Sequence, residues 1–355
     1  MEFKAKGNDV VDSSFRPMVS IIVPVYRPDI AMLERAITSC LSQSYSSFEV
    51  ILIDDGNTLE DLKVIYEMTK LDNRIRVVES EHLGVSCARN LGINCARGDY
   101  ICFLDSDDEL NRVFLAEAIQ MVYNYNLTAV FGACLRCPSG KGGESLDFVS
   151  AGKVTVVEGP DLNDLSNYFF SYRAGKETSI PKWLSHMPGA KLVESKCLKN
   201  VRFPRDLRYS EDGIFFSEVV LRCEKVGVVQ HEWYKYYQNA GSAMHAIEFG
   251  PSINSYCNAI KGHAQRLGKR EIDYYSNITI HLFVILKHCV KRENTFSLEK
   301  LRIILRTEPF ISAFESAIPQ EYYMTKGDRV RFELVRRNNL HLLRFCYRMY
   351  MSVLG

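Results

Sequence analysis

The feature that most constrains this chain is a series of apolar runs that end abruptly in acids. VSIIVPVY (19–26), EVILIDDG (49–56) and DYICFLD (99–105) are near-continuously apolar and rich in β-formers. Segments of helical periodicity separate them. Ile30, Leu33, Ala36, Ile37 and Leu41 recur at helical spacing behind a capping Asp29, and 59–70 and 85–96 repeat the pattern around a short strand at 75–78. Strands that are apolar on both faces belong to a parallel sheet covered on both sides by helices. In such sheets ligands sit beyond the carboxyl ends of the strands. Here those ends carry Tyr26, Asp54-Asp55 and Asp105-Ser106-Asp107-Asp108. The chemistry is expected along that edge.

From about residue 126 the pattern changes. Strands at 129–135 and 154–157 alternate with a Gly-rich loop (139–143) and a Tyr/Phe-rich segment (167–172). A helix at 211–222 and a strand at 227–237 follow. This reads as the second half of the same sheet. Beyond 250 the strand signals vanish, and 270–291, 297–306 and 328–353 read as helices. The expected organisation is a loose leader (1–16), an α/β domain (17–250, with halves 17–125 and 126–250) and a basic helical region (251–355). Formal charge is only +1, which argues against bulk nucleic-acid binding. Residues 251–355 carry 17 Lys/Arg against 9 Asp/Glu, whereas 1–250 carry 27 against 34. An acidic front suits a metal cation, and a basic end suits an anionic surface. No apolar run is long enough to span a membrane. MEFKAKGNDVVDSSF lacks a signal-peptide core, so the chain is expected to stay in the cytoplasm with its eleven cysteines reduced.

Three carboxylates packed behind one strand repel each other unless a cation neutralises them, and a hard divalent ion takes one or two carboxylates together with substrate phosphates. The plainer reading of Asp105, Asp107 and Asp108 is a helix cap with solvated acids. The neighbouring segments shift the balance. VSIIVPVYRP, SQSYSSFEVILIDDGN and GVSCARNLGINCARGDYICFLDSDD follow in order within ninety residues. Together they resemble the family 2 glycosyltransferases, an inverting group with the GT-A fold: a Rossmann-like nucleotide-binding sheet flanked by helices, here with a helical C-terminal extension. The resemblance is close over 18–115 and looser to about 245. Many such relatives build bacterial lipopolysaccharide, O-antigen, capsule or teichoic acid.

The resemblance implies residue roles. Pro24, Val25 and Tyr26 would lie against the base and ribose of a UDP-sugar. Asp55, with Asp54 beside it, would take the uracil N–H. Arg89 would lie by the nucleotide, and Asp105 with Ser106 by the ribose or donor sugar. Asp107 would hold Mg²⁺ or Mn²⁺. Inverting transfer needs a base for the acceptor hydroxyl; RYSEDGIFF resembles the family's Glu-Asp motif, which makes Asp212 the base with Glu211 beside it. The bland alternative is a pair of acids favoured by a helix N-terminus. Lys191 reads as a solvated lysine, with an acceptor or phosphate contact as the alternative. In WYKYYQNAGSAMH, Ser242 is kept as a donor contact, but Tyr237 stands where relatives often have an arginine; His245 would touch metal or phosphate.

Two rivals remain at this level. A sugar-1-phosphate nucleotidyltransferase needs a Gly-rich, basic loop after the first strand, which PVYRPD does not supply. A degenerate, non-catalytic binding subunit is the other. Cys134-Leu135-Arg136-Cys137 reads as a structural pair on a strand rather than a zinc site. Arg337, His341, Arg344 and Arg348 form one helical stripe. That stripe either lies on an anionic membrane near a lipid-linked glycan acceptor or packs on this domain or a second copy of the chain.

Overall fold

A computed structural model describes residues 16–70, 72–137, 153–171, 180–181, 183–207, 209–237, 252–291, 305–306, 308–316, 326–337, 339 and 342. The leader, the Gly-rich loop, Ser242, His245 and most of the basic stripe lie outside these residues. The chain divides into two units, Met1–Ser166 with Pro181–Asn239, and Asn167–Ile180 with Ala240–Gly355.

The first unit is built on one mixed sheet. Its first four major strands are β1 (Val19–Val25), β2 (Phe48–Asp55), β3 (Ile75–Ser80) and β4 (Tyr100–Phe103). A two-residue strand, β5 (Glu109–Leu110), follows, then β6 (Ala129–Cys137), β7 (Thr155–Glu158), β8 (Lys191–Glu194) and β9 (Lys225–Tyr237). The spatial order is β3-β2-β1-β4-β8-β6-β9-β5, with β7 on β9. The front half, β3-β2-β1-β4, is wholly parallel, as the apolar runs require. Every residue of β1 and β2 is buried. Pro24 is tolerated in this central strand because pairing with β4 ends at Ile22↔Phe103. Ile22 accepts from Leu104 N, so Pro24, two residues on, turns its missing N–H to the same side, past the last rung.

Helices cover the sheet. Asp29 caps α1 (Ile30–Leu41) by accepting from Met32 N, and Leu33, Ala36, Ile37 and Cys40 fill its buried face. Thr58 and Asp61 form a reciprocal capping box at α2 (Leu59–Thr69). Helix α3 (Val85–Cys95) lies so close to β1 that a Cβ on Gly92 would come 2.4 Å from Ile22 Cγ2. Gly92→Ala is therefore expected to destabilise the chain by about 1–3 kcal/mol, read as a lower urea midpoint. Helix α4 (Phe114–Tyr125) and α6 (Glu211–Val220) complete the layers.

The second half of the sheet differs from the parallel half. β8 is antiparallel to both β4 and β6, and so joins the two halves. The Tyr/Phe-rich segment is the end of a helix, α5 (Asp161–Ser171), with Phe169 and Phe170 fully buried. In the second unit α7 (Ser252–Arg266) and α8 (Glu271–Lys291) pack together. Asn277 is buried and donates to Phe170 O. Helices Phe310–Ser316 and Lys326–Arg336 follow. Of the basic stripe, Arg337 is described; it is exposed and pairs with Glu333 at 3.5 Å. Among the described residues no helix is long and apolar enough to cross a membrane.

Candidate active site

Arg89 is the centre of the strand-end edge. It projects from α3, is 4% exposed, and gathers three acids from two places in the sequence. Nη2 donates to Asp105 Oδ1 at 2.8 Å, just past β4, and Nη1 donates to Asp212 Oδ1 at 2.9 Å, in the first turn of α6. Glu211 Oε1 lies 3.9 Å from Nη1. The guanidinium also stands 5.2 Å from the centroid of Phe203. Burial works against its charge, but Asp212, Asp105 and Glu211 outweigh that and hold Arg89 above its ordinary value.

One cation facing three carboxylates leaves the cluster short of positive charge. Burial, then the neighbouring Asp212, pushes Glu211 up to about 8. Burial also pushes Asp212 up to about 6, against the pull of Arg89. Both acids are thus raised toward neutral pH, Glu211 further than Asp212, as happens where one group must take a proton. Ser210, which precedes Glu211, is forced into the left-handed region at φ 66 and makes no side-chain cap bond. Non-glycine residues adopt that region only under constraint.

Asp108 has a different job from its two neighbours. It is fully buried; Oδ2 accepts from Tyr234 Oη at 2.7 Å and Oδ1 from Tyr237 N at 2.8 Å. Tyr234 Oη in turn accepts from Asp105 N at 3.2 Å. Asp108 thus ties the acidic turn to β9, and neither it nor a solvated acid cluster describes the run as a whole. Asp107 sits beside a cation from α1: Arg35 donates to Asp107 O at 2.6 Å, pairs with Glu109 at 3.2 Å, and lies 3.9 Å over the Tyr237 ring. At Tyr237, where the motif resemblance leads to an arginine, the fold places the Arg35 guanidinium over the ring, a pairing that lies beyond the reach of a local motif.

The other end of the edge is formed by β1 and β2. Asn57 binds the two strand ends together, donating to Val25 O at 2.7 Å and to the Asp54 carboxylate while accepting from Arg27 N. Pro24 and Val25 close β1 just before Tyr26, a residue that is 37% exposed. Asp55 accepts from Leu83 N at 2.9 Å, from Gly84 N at 3.1 Å and from His82 Nδ1 at 3.0 Å. Gly84 takes φ +90 to make this turn. Ser106 is half-buried in the acidic turn.

Lys191 corrects an expectation. It is 1% exposed, not solvated. Its ammonium donates to Met187 O and, at 3.4 Å, to Gly189 O, and it lies 5.0 Å from the Phe216 ring centroid. Burial lowers it to about 8, with Cys134 and Asp212 pulling the other way. Cys134 and Cys137 are unpaired thiols on β6, three residues apart on opposite faces, in keeping with a structural role.

Residues 20–176 match the family model described as glycosyl transferase family 2. The chain carries a family 2 glycosyltransferase domain. Its relatives extend past that segment. An uncharacterized glycosyltransferase of Haemophilus influenzae is 28% identical over 221 residues, covering 61% of this chain and 77% of that protein. The uncharacterized glycosyltransferase EpsJ of Bacillus subtilis is 27% identical over 262 residues, 74% of this chain and 70% of that protein. Glycosyltransferase GlyA of Streptococcus pneumoniae is 26% identical over 63% of this chain but only 31% of its own length. The fold matches S. aureus TarS 1–349, solved in complex with UDP-GlcNAc, with a TM-score of 0.60 at 18% identity, over 94% of this chain and 92% of that one. The family 2 domain therefore has the GT-A fold expected from its motifs.

Proposed function

We propose that this glycosyltransferase moves a sugar from a nucleoside-diphosphate sugar, with UDP as the carrier, to a hydroxyl of a glycan or lipid-linked glycan acceptor, inverting the anomeric centre. The observation that carries the reading is the meeting of the half-buried Asp105 and Asp212 on the buried Arg89 guanidinium at the strand ends. Residues 16 and 123 positions away from Arg89 are brought onto the same guanidinium. The relatives' names and the UDP-GlcNAc of the TarS complex support the donor class. A role in surface polysaccharide synthesis and attachment to the inner face of the membrane are part of the same proposal.

Tyr26 offers an aromatic face for a base, and Asp55 a carboxylate for its N–H. Asp105 and Asp107 are hard-oxygen donors two residues apart at a strand end. That set suits Mg²⁺ or Mn²⁺, which take one or two carboxylates plus phosphate oxygens. Among the described residues no three His, Cys, Asp or Glu side chains form a ready-made cage. A bound divalent ion would offset charge on the departing diphosphate. Asp212 accepts the proton of the acceptor hydroxyl as its oxygen attacks the anomeric carbon opposite the leaving group. Glu211, raised further, holds its proton more firmly than Asp212, and Arg89 orients the Asp212 carboxylate.

A donor panel tests the reading. Thermal midpoints measured with UDP-, GDP- and dTDP-sugars, each with and without Mn²⁺, should rise for a UDP-sugar in the presence of metal. No shift with any nucleotide sugar would remove the donor reading. The base assignment also fixes a pH profile. The base works only when ionised, so kcat/KM should hold above about pH 6 and fall about tenfold per unit below it. A flat profile from pH 5 to 7 would assign proton removal elsewhere.

A further inference from the structure

The slot assigned above to the donor base already holds a ring from the chain itself. The His82 imidazole stacks on Tyr26 with centroids 3.9 Å apart and planes 10° from parallel. Its Nδ1 lies 3.0 Å from Asp55 Oδ2 and 3.1 Å from Asp55 O. Both partners are acceptors only, so Nδ1 carries the hydrogen. A flat heteroaromatic ring, stacked on Tyr26 and donating N–H to Asp55, makes the two contacts that a uracil would make. We propose that His82 is a built-in occupant of the base slot, and that a uridine nucleotide binds by displacing its side chain from Tyr26 and Asp55. This rests on the donor reading given above.

Lone-pair counting supports displacement over coexistence. Asp55 is 3% exposed, and its two oxygens already accept from Leu83 N, Gly84 N and His82. The two backbone donors belong to the turn into α3 and stay in place. The histidine is the partner that can leave. Its side chain is 51% exposed, so rotating it outward disrupts little packing. Its backbone is fixed: a Cβ on Gly56 would come 2.6 Å from His82 N, which shows how tightly the chain passes there. Motion is therefore confined to the side chain. Arg27 stands 5.1 Å from the Tyr26 ring centroid and remains beside the emptied slot.

A competitor that must be moved lowers apparent affinity by the fraction of molecules whose slot is open. His82→Ala should therefore bind UDP more tightly than the parent protein, by about threefold to tenfold in Kd. Calorimetric titration of both proteins with UDP measures this. A second readout follows His82 in the unaltered chain. Diethyl pyrocarbonate modification, quantified on the His82 peptide by mass spectrometry, should become faster when UDP is bound. Tighter binding by the variant with faster modification in the parent supports displacement. Equal or weaker binding by the variant, or protection of His82 by UDP, overturns it and makes the imidazole a wall of the site. If neither protein binds UDP, the donor reading itself fails and this proposal falls with it.

Discussion

Asp212→Asn is expected to lower glycosyl transfer by about a hundred- to ten-thousand-fold, the range for loss of a positioned general base. The amide has the shape of the carboxylate, and its oxygen can still accept from Arg89 Nη1, now 2.9 Å from Asp212 Oδ1. What it loses is the capacity to take a proton. UDP affinity should stay within a few-fold of the parent protein, because Tyr26 and Asp55 are untouched. Single-turnover transfer and UDP titration on the same preparation separate the two effects. Full turnover in the variant would show that another group removes the proton.

Arg89→Met is expected to have the largest effect on stability, about 3–5 kcal/mol, the range for removing one partner from a buried charge cluster. Asp105, Asp212 and Glu211 would then face one another without the guanidinium they share. Both Glu211 and Asp212 already lie above the ordinary carboxylate range. Without Arg89 they rise further, so the folded chain binds more protons than the unfolded one between ordinary carboxylate pH and the raised values. Stability then falls as pH rises through that window. The deficit should be greatest above about pH 8 and shrink toward pH 5. Urea midpoints of parent and variant at both pH values measure it. A deficit that is small and independent of pH would mean the acids are satisfied by other groups.

The parallel half of the sheet was legible because its signal is local. Three apolar runs and one short strand, the first two followed by side-chain-capped helices, dictate β1 to β4 with errors of a residue or two at the ends. The candidate site was legible in part. Motif resemblance selected Arg89, Asp105 and Asp212, and the fold unites them. It could not separate Asp108 from Asp105 and Asp107, because the difference lies in Tyr234 and Tyr237, more than a hundred residues away. Lys191 looked solvated because a lysine beside a short apolar run carries no local mark of burial; the Met187 and Gly189 carbonyls that receive it come from a turn. β8 escaped notice for a related reason. Four residues are too few to show a period, and its identity as a strand comes from the partners on either side. Arg35 lies on a helix read correctly and His82 in the connection between β3 and α3, yet the contacts of both are set by how the flanking elements pack.

The position of β8 also bears on how the chain is made. Residues 19–137 contain β1 to β6, and they leave the ribosome before residues 191–194. During that interval β4 and β6 each lack the neighbour that later sits between them. Their open backbone edges are templates for pairing with other nascent chains. Insertion of four residues, Lys191–Glu194, covers the β4 edge and one side of β6 at once, and β9 covers the other side of β6. Vectorial synthesis thus has a hazardous stretch that opens when β6 emerges, narrows with β8 and closes only when β9 pairs the far side of β6.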